Sequence, residues 1–217
     1  MTPEEIGEVA GIFAGDGTLY RTQGGIVMEV RGDSREVEYY EKYVRKLFGK
    51  AFGIKLKVIK RYYANKTGYV LGIRVCGKRT KEFLSDFLGF PIGEKSDIVR
   101  VPDIILKNQN SWISYVRGIF DTDGSVYVRK CGAGLAYRQP VIDIFSNSNE
   151  HILQIKAMME WVGFKVWIEG NKRKIRMAGW GNAERFFKVI KPHNNRKLER
   201  FRAIKAGMAE RSKAQTG

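Results

Sequence analysis

Apolar positions near the start of the chain recur at helical spacing. Ile6, Val9, Ala10 and Phe13 fall on one side, and Thr2-Pro3-Glu4-Glu5 precedes them. Thr2 suits a cap, Pro3 the first helical position, and Glu5 completes a capping box. The pattern stops at Asp16-Gly17, where Gly17 is expected in the left-handed terminating conformation. Two strand-like runs follow, Thr18–Arg21 and Ile26–Arg31, with Gln23-Gly24-Gly25 as the turn between them. Glu36 to Phe48 is an amphipathic helix carrying Val37, Tyr40, Val44 and Phe48 on one side, closed by Gly49. Lys55–Tyr63 and Tyr69–Cys76 read as a second hairpin around Asn65-Lys66-Thr67-Gly68. A helix over Lys78 to Leu88 then ends at Gly89-Phe90-Pro91.

The resulting order, αββαββα, starts again further on. Ser111 is the expected cap of a helix over Trp112 to Thr122. Ser125–Arg129 and Pro140–Phe145 form the next hairpin, with a longer connection from Lys130 to Gln139. His151 to Val162, closed by Gly163, matches the helix closed by Gly49. Lys165–Glu169 and Lys174–Ala178 turn around Gly170-Asn171, Asn182 to Ile190 is the last matching helix, and a basic helix over Leu198 to Ala209 ends the chain. The expected organisation is therefore α+β, with repeats at 1–95 and 111–217 and a linker at 96–110 that contains Pro102.

Composition narrows the partner. The formal net charge is +16, from 39 Lys and Arg against 23 Asp and Glu. Such a balance predicts an anionic polymer or surface as partner. Cys76 and Cys131 lie far apart and read as small apolar residues, without zinc spacing or a disulfide framework. Two histidines are too few for a His-rich metal site. There is no leading apolar segment and no long uncharged run, so a soluble intracellular protein is expected.

The sharpest feature is a stretch that occurs twice. Val9-Ala10-Gly11-Ile12-Phe13-Ala14-Gly15-Asp16-Gly17 is matched by Val116-Arg117-Gly118-Ile119-Phe120-Asp121-Thr122-Asp123-Gly124, and Tyr20 and Tyr127 follow at the same distance. Gly11 and Gly15, like Gly118 and Thr122, are four apart, which leaves each helix a face with little side chain on which two backbones can approach. Ile12, Phe13, Ile119 and Phe120 are expected to point into their own halves. Asp16 and Asp123 each sit in the last helical turn, where the helix dipole disfavours a carboxylate. Pairing the helices about a pseudo-two-fold brings both acids to the same end, where they repel unless a cation lies with them. A hard divalent ion, Mg²⁺ first, resolves this.

These paired segments, with the αββαββ order between them, resemble the LAGLIDADG motif of homing endonucleases in the single-chain, two-repeat form. The resemblance covers about residues 4–205. It implies a monomer whose paired motif helices lie at the repeat interface and whose antiparallel sheets form a DNA-binding saddle. It also implies that Asp16 and Asp123 are the catalytic acids and hold two or more Mg²⁺ ions, with Mn²⁺ or Ca²⁺ able to substitute for binding. Gly15 and Thr122, beside them, join the expected metal site. The sixth motif position, often Asp, is Ala14 in one copy and Asp121 in the other. Arg117 replaces the usual small residue at the second position and is expected to point outward. By the same resemblance Lys95 and Lys197, after the last helix of each half, are candidates to hold the scissile phosphate and attacking water; a solvated lysine is the competing reading. Asp33 and Asn147, ending the second strand of each half, are either water-ordering residues near the metals or helix caps.

The strands are the expected DNA reader. Lys55, Lys57, Arg61 and Tyr63 alternate with Leu56, Val58 and Tyr62, giving a basic face and a dry one. Arg21, Arg31 and Arg74 in the first half, and Arg129, Lys165, Trp167, Lys174 and Arg176 in the second, suit the same role. Gln23, Asn65, Arg138, Gln139 and Asn171 are placed at hairpin tips for base or phosphate contact. Two unlike halves imply a long asymmetric site in double-stranded DNA. The expected reaction is metal-dependent hydrolysis of both strands, with 3′ overhangs by the family resemblance. Alternatives of the same fold are a maturase with intron RNA as partner and a DNA-binding regulator that no longer cuts; retention of both aspartates speaks against the regulator. No membrane association and no obligate protein partner are expected, and an intron-encoded product is expected over an intein.

Overall fold

The computed structural model describes the chain except residues 64, 66, 132–136 and 216–217; side chains at 131, 137 and 208–215 also lie outside the description. Helix α1 covers Pro3–Asp16, and the predicted capping box is formed by Thr2 and Glu5. Strands β1 (Gly17–Thr22) and β2 (Gly25–Asp33) form the first hairpin. Helix α2 runs over 37–52, with a wide π turn at Tyr40–Val44. Strands β3 (Ile59–Tyr62) and β4 (Tyr69–Cys76) follow, then helix α3 over 78–87. The second half repeats this with α5 (Trp112–Asp123), β5 (Gly124–Cys131), β6 (Tyr137–Phe145), α6 (Asn149–Trp161), β7 (Trp167–Ile168), β8 (Lys174–Ala178) and α7 (Trp180–Ile190). Between the halves lies α4 (Asp103–Leu106), and α8 (Asn195–Gln215) ends the chain.

The two sheets are antiparallel and of identical topology, β1-β2-β4-β3 and β5-β6-β8-β7. One face of each is dry. Leu19, Met28, Val30, Leu71 and Ile73 in the first sheet, and Val126, Ile142, Ile144 and Ile175 in the second, are buried in one continuous core with the helices. Residues paired directly across a ladder share a face. The opposite face therefore carries Tyr20, Glu29, Arg31, Arg61 and Arg74 in one sheet and Tyr127, Arg129, Gln139, Asp143, Trp167, Lys174 and Arg176 in the other.

Helices α1 and α5 cross at their glycines. A β-carbon on Gly11 would lie 2.2 Å from the Tyr115 carbonyl oxygen, and one on Gly118 would lie 2.7 Å from the Ile12 nitrogen. Gly7 and Gly15 extend the same stripe, facing Ser111 and Thr122. Backbone contact this close is open only to glycine, and it accounts for the interior glycines despite their helix penalty of about 1 kcal/mol each. Phe13 packs edge-on against Phe90, and Phe120 against Phe186, so each phenylalanine anchors its own half.

Several local expectations are corrected. Gly17 is extended, not left-handed, as is Gly124; a β-carbon there would sit 2.3 Å or 2.2 Å from the ring of Phe13 or Phe120. Space beneath the ring, not backbone sign, requires the glycine. Helix α2 passes through Gly49 and ends at Gly53, which is left-handed (φ 66°); Gly49 lets the helix approach the Ile54 carbonyl. Ser111 does not cap α5: its hydroxyl donates to the carbonyls of Ile105 and Asn108. Strand β3 has no dry face, since all four residues are exposed, and Lys55 and Lys57 precede it. Lys165 likewise lies outside the two-residue β7. Arg138 and Gln139 are ladder residues opposite Lys130 and Arg129, not tip residues; the connection itself falls at 132–136, outside the described residues. The expected linker buries Val99, Val101 and Ile105, and the Val101 amide donates to Gln154 (2.7 Å). Cys76 is exposed.

Candidate active site and nucleic-acid interface

The helix crossing places the C-termini of α1 and α5 together. A β-carbon on Gly15 would lie 3.0 Å from an Asp123 carboxylate oxygen, so the second acid rests against the end of the first helix. Burial, the negative charge of Asp123 and that of Glu36 push Asp16 up to about 7, against the pull of Lys197 and a hydrogen bond from Tyr40 (3.3 Å). Burial also raises Asp123, opposed by Lys197 and Lys95.

The two candidate lysines take matching places. Lys95 Nζ donates to the carbonyls of Ala14 (2.6 Å) and Gly15 (3.3 Å). Lys197 Nζ donates to those of Phe120 and Thr122, the latter at 2.8 Å. Each half thus caps its own motif helix with a cation, at the end where the dipole favours one. Burial lowers the pKa of both ammonium groups, while the aspartates pull it back up. The lysines answer the helix carbonyls and leave the carboxylates as hard oxygen donors. The expected Gly15 and Thr122 oxygens are taken up by the lysines, so the donors that fit a hard divalent cation are the two carboxylates that repel. Beside them a cavity of about 660 Å³ is lined by Glu36, Thr122, Ser125, Arg196 and Lys197.

Asp33 caps the turn after β2 by accepting from the Arg35 amide, and it pairs with Arg35 and Arg196. The Arg35 side chain first, aided by Arg196, holds its pKa well below the usual carboxylate range. Asn147 is not the cap of α6; Ser148 is, through the His151 amide.

Arg117 does not point outward. Its side chain is 17% exposed, donates to the Ile190 carbonyl (2.6 Å) and bridges to Glu8 of the partner helix (2.9 Å). Glu8 also meets His193 Nδ1 at 2.7 Å, and the Tyr43 ring stacks on that imidazole at 3.9 Å. Asp121 accepts from the backbone amides of His193 (2.8 Å) and Asn194 (3.2 Å). It therefore holds the loop that delivers Lys197, a positioning role signalled in the sequence only by an acid at the sixth motif place. Burial pushes Asp121 up to about 7. Glu8, Asp121 and His193 have ligand-type atoms within 4.8 Å of one another, but these atoms are already engaged within the protein.

The wet sheet faces hold about half of the proposed readers. Arg21 lies on the Leu19 side of β1, away from them. Arg129, Trp167, Arg31, Arg61 and Arg74 are on the wet face and open to solvent. Tyr63, Lys55, Lys57 and Lys165 are exposed beside the strands, and Gln23, Asn65 and Asn171 are exposed at turns. Arg176 is only 12% exposed and is occupied by Asp143.

The computed structure resembles several solved ones along most of its length. I-SmaMI bound to an uncleaved DNA target with calcium matches at TM-score 0.59 and 10% identity, over 100% of this chain and 94% of that one. I-DmoI in complex with DNA and Mn matches at 0.55 and 14%, over 87% and 96%. The I-LtrWI LAGLIDADG homing endonuclease bound to target DNA matches at 0.54 and 13%, over 96% and 92%. The fold is that of the LAGLIDADG homing endonucleases. Within that fold, α1 and α5 form the closely packed central helix pair, each leading directly into the first strand of its own sheet. No family model matches the chain. An uncharacterized protein of Methanocaldococcus jannaschii is 24% identical over 174 residues, 78% of this chain; the chain spans 59% of that relative's length. Among the described residues no helix is long and apolar enough to cross a membrane.

Proposed function

We propose that this protein is a site-specific endonuclease that hydrolyses both strands of a long, asymmetric double-stranded DNA target. The observation that carries the reading is the meeting of Asp16 and Asp123 at adjacent helix ends, between two sheets whose wet faces carry arginines. A saddle of this kind suits a duplex, and a net charge of +16 supplies the attraction to phosphate.

In this reading the carboxylates of Asp16 and Asp123 hold divalent metal, Mg²⁺ in the cell, while the Gly15 and Thr122 carbonyls stay with the lysines. The metal supplies activation of water and stabilisation of the leaving oxygen. Lys95 and Lys197, fixed by their carbonyl contacts at the two helix ends beside the aspartates, would in this reading each offer positive charge to a scissile phosphate. Asp121 keeps Lys197 in register by anchoring its loop. Solved structures of this fold, among them I-DmoI in complex with DNA and Mn and I-SmaMI bound to an uncleaved DNA target with calcium, support the substrate and the class of ion.

The test is incubation with a genomic or randomised DNA library and Mg²⁺, followed by sequencing of broken ends. A recurrent double-strand break that vanishes in Asp16→Asn and Asp123→Asn, with DNA binding retained, is the expected result. Absence of any site-specific break across salt and temperature sinks the reading.

A further inference from the structure

The wet face of each sheet carries the same three-residue arrangement at the same register. In the first sheet Glu29 stands opposite Thr18 on β1 and Arg74 on β4. Its carboxylate accepts from Tyr20 Oη at 2.9 Å and meets Arg74 at 3.6 Å, Arg61 at 3.4 Å and Arg31. In the second sheet Asp143 stands opposite Ser125 and Arg176. It accepts from Tyr127 Oη at 3.0 Å and from Arg176 at 2.7 and 2.9 Å, with Lys174 at 3.6 Å. Both acids are almost fully buried beneath their own cations. A carboxylate facing a polyanion is unfavourable unless its charge is already spent, and here it is spent on fixing the direction of guanidinium groups.

The two clusters differ in what remains. Three arginines on one carboxylate leave a surplus of two positive charges in the first sheet, with the arginine side chains 39–62% exposed. In the second sheet Glu169 also meets Arg176, at 2.5 Å, so Arg176 and Lys174 are balanced by two acids and no surplus remains. Arg176 is closed into this cluster with the Tyr127 hydroxyl at 2.8 Å.

Resting on the DNA-binding reading above, we propose that Glu29 and Asp143 are positioning residues for target recognition. They are buried counter-ions that hold arginines in the groove-facing direction and keep them from collapsing onto phosphates. The first sheet then presents Arg31, Arg61 and Arg74 as oriented donors for base edges. The second uses Arg176 and Tyr127 as an internal brace and reads the duplex with the groups around them, Gln139, Trp167 and Arg129. The two halves of the target are accordingly read by different chemistry.

The experiment compares wild type with Glu29→Gln on a pool of random-sequence duplexes. It measures affinity against salt and, by sequencing of bound DNA, base preference along the site. Gln keeps an acceptor for Tyr20 but releases the arginines. Affinity for non-specific duplex should rise and the slope of log affinity on log salt steepen by about one. Preference beneath the first sheet should fall by roughly tenfold at the base most strongly read. Tyr20→Phe removes a hydrogen bond without changing charge and should leave the salt slope unchanged. An unchanged slope and unchanged preference in a folded Glu29→Gln protein overturn the proposal, whereas a wild type that fails to bind duplex DNA overturns the underlying reading instead. Should Glu29→Gln not fold, Arg61→Gln and Arg74→Gln carry the test. Each leaves the acid with other arginines and should relax base preference beneath the first sheet, and wild-type preference in both overturns the proposal.

Discussion

Asp16→Asn should make the metal-free protein more stable, although it removes a catalytic candidate. Asp16 is raised from an ordinary carboxylate value of 3.8 to about 7 by burial, Asp123 and Glu36. A raised acid is neutral in the folded state and ionised in the unfolded state between those two values. Its destabilising effect is therefore absent below about pH 4, grows between pH 4 and 7, and is complete above 7. Three units at 1.4 kcal/mol each give an upper value of about 4 kcal/mol, and partial solvent access reduces this to the order of 2–4 kcal/mol.

The assay is urea unfolding of parent and Asp16→Asn at pH 4 and pH 8, in chelator and in excess Mg²⁺. With a urea slope of about 3 kcal/mol/M, the variant's midpoint should lie about 1 M higher at pH 8 in chelator and coincide with the parent's at pH 4. Added Mg²⁺ should then stabilise the parent by about 2.7 kcal/mol at a hundredfold excess over its dissociation constant, and the variant far less. A variant no more stable than the parent at pH 8 in chelator refutes the reasoning, because the two carboxylates would then carry no repulsion for a cation to relieve.

Other outcomes follow from the same geometry. Gly118→Ala forces a methyl group within 2.7 Å of backbone atoms on the partner helix and should cost about 3 kcal/mol or more in urea unfolding, whereas Gly24→Ala, with its nearest atom at 3.9 Å, should be near neutral. Arg117→Met leaves Glu8 buried without its guanidinium partner and should cost about 3–5 kcal/mol, read as a fall in melting temperature. His151, held neutral by burial with a pKa of about 3, contributes stability that is lost as pH falls from 6.5 towards 3; His151→Gln should flatten the loss of melting temperature between pH 7 and pH 4. Lys95→Met should slow one strand more than the other, so that nicked plasmid accumulates in a cleavage time course while Kd for the target changes little.

Most of the architecture was legible because the sequence states it twice. The matched Gly11 and Gly118, the matched Asp16 and Asp123, and the repeated order of elements each constrain the other half. What was illegible depended on partners distant in sequence. Arg117 looked like a residue at a small-residue position and so was expected outside. Its place is set by Glu8, on the other helix, and by the Ile190 carbonyl. The space beneath Gly17 is set by the ring of Phe13, which periodicity does not reveal. Strand β3 was read too long because Leu56 and Val58 alternate with lysines before the ladder starts at Ile59. The sheet arginines looked equivalent in composition, yet Arg176 is closed and Arg61 open, a difference fixed by Glu169 and by strand register.

The duplication also explains why the site is uneven. A homodimer with this fold would carry identical acids, lysines and sheet faces on both sides, and one substitution would act twice. In a single chain each copy can differ from the other. Ala14 and Asp121 occupy equivalent motif places, but only Asp121 anchors the loop leading to its lysine. Asp16 has Tyr40 and Glu36 near it, while Asp123 is raised by burial and pulled back by the two lysines. Tyr20 and Tyr127 keep their places and their carboxylate partners, while the cations around those carboxylates have diverged to a surplus of two on one side and none on the other. The matched spacing of the tyrosines preserves one carboxylate anchor in each sheet, and in the proposed reading the unequal cations around those anchors would let one chain read two unlike half-sites.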